Sequence, residues 1–315
     1  MTQHTGKPKG NPTVSIVIPA KNEEENIKNC LDAVFSQETG YRCEVIVIDS
    51  GSTDQTVAVT RKFPQVKLRQ IRPEDFGHGK TRNLGAEIST GDYIVFLNAD
   101  AVPADNRWLD SLLQPFGSVE KEEKEEKCAG VYSRHFPKQG CHLYMARDIY
   151  KSMPDTPAVL HHAKTPDFMI FSTVSCAIPR SILTKYPFDN EIDIAEDQEW
   201  ARRVLAEGFT IHYEPQSRVY HSHNYTPRQL FEVKRRVGGA EKKFKTVFIA
   251  AVVGLVLMVG GIIVKSMGDL GYILFKTGST ASTEKISFSQ KLEEIIIAIK
   301  ARAAGFAGRY RGWLT

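Results

Sequence analysis

The side chains able to do chemistry fall in short segments spread along the chain. In FLNADAVP, residues 96–103, Asn98 and Asp100 follow an apolar run at alternating positions and so point the same way. A carboxylate and an amide oxygen are hard donors suited to Mg²⁺ or Mn²⁺ carrying a nucleotide diphosphate, whose phosphates would supply further oxygens. A helix-capping aspartate is the plain alternative. In AEDQEW, residues 195–200, Asp197 and Trp200 are three apart and share a helix face. A carboxylate and an aromatic plate there would line one wall of a sugar pocket, although a helix start also favours acids through its dipole and Trp200 could be core. In YHSHNY, residues 220–225, alternate spacing puts His221 and His223 on one strand face, where neutral imidazole could complete a metal shell.

Three earlier segments look like ligand loops. FGHGKTRN, residues 76–83, has Gly77 and Gly79 for a flexible backbone and His78, Lys80 and Arg82 as cations, a composition able to close over a diphosphate. In IDSGSTD, residues 48–54, turn chemistry explains Gly51, Ser52 and Thr53, while Asp49 could accept the imide hydrogen of a uracil or thymine. PAKNEEEN, residues 19–26, reads either as a capping box, Asn22 as N-cap with Glu25 at N3, or as a wall, Pro19 to Glu23, for a base and ribose. A GxGxxG dinucleotide loop is excluded there, because Glu23, Glu24 and Glu25 would repel a pyrophosphate.

To position these segments the chain offers apolar, β-branched runs at Val14 to Ile18, Val45 to Ile48, Val66 to Ile71 and Tyr93 to Leu97, separated by helical spacing. That alternation implies right-handed βαβ crossovers and a mostly parallel sheet flanked by helices, with ligands at the carboxyl ends of the strands. Cys128 to Phe136 and Phe168 to Ile178 read as strands, and Glu196 to Glu207 as a helix ending at Gly208. The run Glu120 to Lys127 is a solvated mixed-charge segment. Eighteen residues from Val247 to Val264 carry no polar side chain, which meets the lower limit for a membrane span. Lys291 to Ala304 is amphipathic, as in an interfacial helix. Three parts follow: a polar leader over 1–12, an α/β domain over 13–240, and a membrane-associated helical tail over 241–315, arranged as a span, a hairpin, a re-entrant segment or an interfacial layer.

At 315 residues, 42% hydrophobic and 25% charged, the chain is an ordinary folded protein of one large or two modest units. Of the +4 net charge, a local +5 lies between Arg228 and Lys245, which suits phosphate or anionic lipid. Basic and aromatic residues are not interleaved across a domain, so nucleic acid is not an expected partner. Five cysteines without a CxxC pair point to a reducing compartment. The leader lacks the apolar core of a signal peptide, so the α/β domain is expected in the cytosol, at the cytoplasmic membrane.

Taken in order, PxxNE, DSGSTD, FGHGxTRN, N-A-D in place of DxD, EDQEW and HSHN resemble the family-two glycosyltransferases of the GT-A (Rossmann-like) fold, rhamnosyltransferase-type members especially, over Val14 to Arg236. The resemblance implies that Pro19, Ala20, Asn22, Glu23, Asp49 and the Gly51 turn bind the nucleoside of the donor. His78, Gly79 and Arg82 would meet the rest of the donor, and Asp100, with Asn98, the metal. Asp197 matches the catalytic base, Glu196 its neighbour in the ED motif, Trp200 an aromatic on the acceptor side, and His223, ahead of His221, a late metal ligand. Asn98 departs from the first Asp of DxD. The activity implied is one in-line, inverting displacement from a nucleotide-diphosphate sugar, dTDP-rhamnose or a UDP-sugar, to a hydroxyl of a glycan or lipid-linked acceptor in cell-surface polysaccharide synthesis. A sugar-phosphate nucleotidyltransferase would instead want a Gly- and Arg-containing loop after the first strand, and a noncatalytic membrane scaffold would have no use for the carboxylates.

Overall fold

A computed structural model of the chain describes residues 13–118, 127–161, 171–244, 250–275 and 287–314. The leader, the mixed-charge run at 120–126 and residues 168–170 of the expected strand lie outside them. The expected strands form where the β-branched runs stand: β1 (Thr13–Ala20), β2 (Arg42–Asp49), β3 (Val66–Gln70) and β4 (Tyr93–Leu97). β1 pairs in parallel with both β2 and β4, and β2 with β3. Residues 45–49 of β2 and 94–97 of β4 are buried without alternation, as expected of strands covered on both faces. Helices α1 (Ile27–Phe35), α2 (Thr56–Thr60) and α3 (His78–Ile88) make the crossovers.

Beyond β4 the parallel expectation fails and the sheet becomes mixed. After β5 (Val102–Pro103) and α4 (Trp108–Ser118) come β6 (Cys128–Phe136), α5 (Leu143–Ser152), β7 (Ala158–Leu160), β8 (Ser175–Pro179), α6 (Arg180–Lys185), α7 (Glu196–Ala206) and β9 (Thr210–Tyr220). The strand order is β3-β2-β1-β4-β8-β6-β9-β5, with β7 on β9. β8 runs antiparallel to both β4 and β6, and β9 to both β5 and β7. A serine on each of three neighbouring strands ties this half together: the Ser133 hydroxyl lies 2.6 Å from that of Ser175 and 2.7 Å from that of Ser217, and the Trp108 indole N–H donates to Ser175 at 3.0 Å. Each of these buried polar groups is therefore satisfied.

The chain divides into two compact units: residues 1–134, 155–191 and 196–220, and residues 135–154, 192–195 and 221–315. In this division the second unit takes in residues 221–315 together with α5. That unit adds α8 (Pro227–Phe244), α9 (Ala250–Phe275) and α10 (Phe288–Leu314). Its core is Tyr144, Leu230, Ile273, Ala298 and Ala301. α10 lies on α8 through glycines, for a Cβ on Gly308 would stand 2.2 Å from the Phe231 carbonyl oxygen and one on Gly312 2.0 Å from that of Arg235. Arg302 binds Asp269 and Asp148 through two edges of its planar guanidinium, and Arg147 reaches Asp269 at 2.9 Å. The Asp269 side chain is only 1% exposed.

The apolar run at 247–264 is the main correction. Residues 247–249 lie outside the description, and the rest belongs to α9. Among the described residues no helix is long and apolar enough to cross a membrane. The same helix continues through Lys265 to the buried Asp269, whose two arginine partners hold it inside the second unit.

Candidate active site

In the order β3-β2-β1-β4 the chain steps outward from β1 to β3 and then returns to the other side of β1. The crevice at such a reversal is where open α/β sheets take ligands. The segments after β1 and β4, Lys21 to Glu23 and Asn98 to Asp100, flank it.

The first segment does not cap a helix. α1 starts at Ile27 after Asn26, without a side-chain cap, so the capping-box reading of Asn22 and Glu25 fails. Asn22 instead adopts a left-handed conformation, φ 55°, which asparagine tolerates better than most residues. Its amide oxygen accepts the Thr53 N–H at 2.8 Å, and its own N–H donates to Ser52 at 2.9 Å. The loops after β1 and β2 are thereby laced together, and Glu23 joins through its N–H on Thr56 at 2.6 Å. Asp49 is fully buried at the end of β2. Its carboxylate accepts the N–H groups of Gly51 and Ser52, each at 3.2 Å, and the Ser52 hydroxyl. Gly51, at φ 81°, sits where a side chain would strike the Pro73 ring. Pro19 is half-buried and Ala20 buried at the end of β1.

FGHGKTRN proves to be a helix start, not a loop. Gly77 precedes α3, and His78, Gly79, Lys80 and Arg82 occupy its first turns. Gly79 is a packing position: a Cβ there would stand 2.7 Å from the Asp189 carbonyl oxygen. Lys80 is exposed. Arg82, expected to face the donor, is buried instead. Its guanidinium donates to Glu196 at 2.7 Å, to the His78 carbonyl at 3.1 Å and to the Asn98 side-chain oxygen at 3.2 Å. The side chains of Arg82 and Glu196 are 5% and 6% exposed.

α7 presents Glu196 and Asp197 at its first positions, and the residue before it, Ala195, is held at φ 66°. Asp197 is half-buried; its oxygens accept the Gln198 N–H at 2.8 Å and the Thr173 N–H at 3.3 Å. Burial first, and the Glu196 charge second, push its carboxyl up to about 6, against the opposing pull of Arg82 and of the two N–H groups. The neighbouring Cys176 thiol is also raised by burial, so it stays neutral. Trp200 corrects another expectation, because it is fully buried. It packs against Phe171 and Phe188 and donates its indole N–H to the Tyr186 carbonyl at 2.7 Å. An aromatic with both faces in the core presents no plate to an acceptor.

Asp100 is buried just beyond β4. The pairing of Val102 with Tyr220 puts the end of β9 beside the start of β5, two residues past Asp100. His221 follows β9 directly; its N–H donates to the Phe136 carbonyl at 2.8 Å, and its ring meets that of His223 edge-on at 4.7 Å.

Two contributors escaped the sequence reading. Asn83 grips the segment leading to α7 like a strand partner, donating to the Phe188 carbonyl at 2.9 Å and accepting the Phe188 N–H at 3.0 Å. It stood in a recognised segment, yet an amide there signalled no ligand. Thr173 acts through its backbone, which leaves no trace in the residue type.

The family model described as glycosyl transferase family 2 matches residues 15–122. The chain is 31% identical over 229 residues to the O-antigen chain rhamnosyltransferase RfbN of Salmonella typhimurium, covering 70% of this chain and 69% of that protein. It is 28% identical over 232 residues to the O-antigen chain rhamnosyltransferase WbaN of Salmonella anatum, covering 70% of each. A mannosyltransferase from Pyrobaculum calidifontis, solved with GDP-Man and Mn²⁺, superposes over 95% of this chain and 86% of its own with a TM-score of 0.59 at 19% identity, a likeness of fold. With the switch-point crevice and the ED helix already in place, these matches establish that the chain is a glycosyltransferase of family 2, rhamnosyltransferase-like in sequence and GT-A-like in fold.

Proposed function

We propose that the protein moves a deoxyhexosyl or hexosyl group from a nucleotide-diphosphate sugar, dTDP-rhamnose or a UDP-sugar, to a hydroxyl of a glycan or lipid-linked acceptor during surface polysaccharide synthesis. The observation that carries this reading is Asp197, a half-buried carboxylate with a raised pKa at the head of α7. A base poised near the working pH can take the acceptor's proton as the hydroxyl oxygen attacks the anomeric carbon. The bond from that carbon to the diphosphate breaks in the same step, with inversion. Pro19, Ala20, Asn22, Glu23, Asp49 and Gly51 form the nucleoside wall in this reading, supported by the laced loops after β1 and β2. The start of α3, with His78, Gly79 and the exposed Lys80, faces the diphosphate, as helix N-termini favour anions.

Asp100, His221 and His223 are the proposed metal ligands, with Asn98 close by in sequence. One carboxylate and two imidazoles fit Mn²⁺ better than Mg²⁺, which prefers oxygen donors. When bound, the cation would stabilise charge on the departing diphosphate. For localisation we propose contact with the cytosolic membrane face rather than a span, supported by the exposed Ile263, Val264 and Met267 on α9 and by the basic α8.

The test is turnover of a nucleotide-sugar panel with Mn²⁺ and a lipid-linked or glycan acceptor. Release of a nucleoside diphosphate supports the proposal. Pyrophosphate release from a nucleoside triphosphate and a sugar phosphate favours the nucleotidyltransferase, and absence of nucleotide binding favours the scaffold.

A further inference from the structure

We propose that Arg82 is a positioning residue for the transfer step: it locks the head of the base helix to the loop after β4, so that Asp197, not Glu196, is presented to the acceptor. This rests on the reading of Asp197 as the base.

One buried guanidinium reaches three elements, through Glu196 at the start of α7, the Asn98 side chain after β4 and the His78 carbonyl in its own helix. Adjacent helix positions lie about 100° apart, so fixing the Glu196 carboxylate against α3 fixes the direction in which Asp197 leaves the helix. The next residue, Asn83, holds the segment at 188–190 by its hydrogen bonds to Phe188 and by one to Asn190 at 3.0 Å. Arg82 and Asn83 thus seat both the approach to α7 and its first residue. With both terminal nitrogens of its guanidinium committed in this way and only 5% of its side chain exposed, Arg82 is not an open cation awaiting a phosphate. A lysine, with a single ammonium, cannot reproduce the fork that serves Glu196 and Asn98 together.

The arrangement also has an electrical signature. The groups acting on the Asp197 carboxylate are Glu196, which raises its pKa, and Arg82 with the Thr173 and Gln198 N–H groups, which lower it; Cys176 beside them is neutral. Arg82→Gln leaves Glu196 uncompensated and should move the acid limb of the kcat profile to higher pH. Glu196→Gln leaves Arg82 uncompensated and should move it to lower pH. A merely structural arginine gives no such opposition.

The experiment measures kcat against pH, together with binding of UDP and dTDP in the presence of Mn²⁺, for the full chain and for Arg82→Gln, Arg82→Lys, Glu196→Gln and Asp197→Asn. The expected result is a fall in kcat of about 10²-fold in Arg82→Gln, the scale of a small misplacement, with nucleotide binding unchanged, limbs moving in opposite directions, and partial rescue by lysine. Weakened nucleotide binding with kcat intact would overturn the proposal in favour of a phosphate contact. Limbs that do not move, with Asp197→Asn inactive, would overturn the role of Arg82 alone. Full turnover by Asp197→Asn would instead remove the base reading, and the proposal with it. Should Arg82→Gln fail to fold, the direction of the limb in Glu196→Gln and the rescue measured in Arg82→Lys decide the question.

Discussion

Both units bury an arginine among carboxylates, and they use it differently. In the helical unit the network is closed: both oxygens of Asp269 accept from Arg302, at 2.7 and 2.8 Å, and Arg147 adds a third bond. Burial works against the Arg302 charge, but the two aspartates outweigh it and raise its pKa. In the α/β unit the network stays open. Arg82 satisfies Glu196, while Asp197 next to it keeps two backbone N–H partners and a raised pKa. A closed network holds helices together, and an open one leaves a carboxylate able to take a proton.

The strongest way to break this contrast is Asp197→Asn, which preserves shape and removes proton acceptance. Turnover should fall by roughly 10² to 10⁴ with nucleotide binding unchanged. In the parent protein the base must be ionised, so kcat should rise through about pH 6. A profile flat from pH 5 to 8 would take the open network out of the chemistry.

Arg302→Met tests the closed side. It leaves Asp269 to Arg147 alone and should cost about 3 kcal/mol in denaturant unfolding. Arg302→Met with Asp269→Leu should recover part of that loss, because both desolvated charges are then gone. Equal losses in the single and double variants would mean that packing, not charge, carries the network.

A third carboxylate sharpens the comparison from the stability side. Burial raises the Glu44 carboxyl, but hydrogen bonds from Lys67, Ser15 and Thr90 outweigh it and hold it down at about 2. Its contribution is therefore present above the unfolded value near 4.5 and lost as pH falls toward 2. With solvent screening the exposed Lys67 partner, Glu44→Gln should cost roughly 1 to 2 kcal/mol at neutral pH and flatten the acid dependence of unfolding between those values.

The smallest expected effect is at Ala195. A left-handed alanine costs about 1 kcal/mol, so Ala195→Gly should raise stability by up to that amount, measured by thermal unfolding. The useful reading is kcat beside it, because a fall in activity with a gain in stability would show that the fixed backbone orients α7.

β1, β2 and β4 were legible because β-branched runs buried on both faces allow little else, and β3, a largely exposed edge strand, by the apolar alternation of Val66 and Leu68. The mixed half was not, since pairing partners such as β4 and β8 lie about eighty residues apart and nothing in either run encodes direction. Of the residues singled out in the sequence, Asp49 stands at the end of β2, Asn98 and Asp100 just beyond β4, and Asp197 at the head of α7. Residue type misled at Arg82 and Trp200, because a guanidinium and an indole serve a ligand or a core equally well and only burial separates the two. The apolar run at 247–264 misled for a related reason: the aspartate that ties α9 to its neighbours lies five residues beyond the stretch that suggested a span.

The spacing of the closed network along the chain has a consequence for biosynthesis. Arg302 and Asp148 are 154 residues apart, and the Gly308 and Gly312 seats on α8 also wait for α10. A chain emerging from the ribosome can pair β1 through β4 long before that arginine exists. Until α10 is made, Asp148 and Asp269 lack the Arg302 fork and the carbonyl-lined face of α8 lacks its cover. The helical unit therefore closes later in synthesis than the sheet of β1 through β4, and is the part a chaperone would meet unfinished.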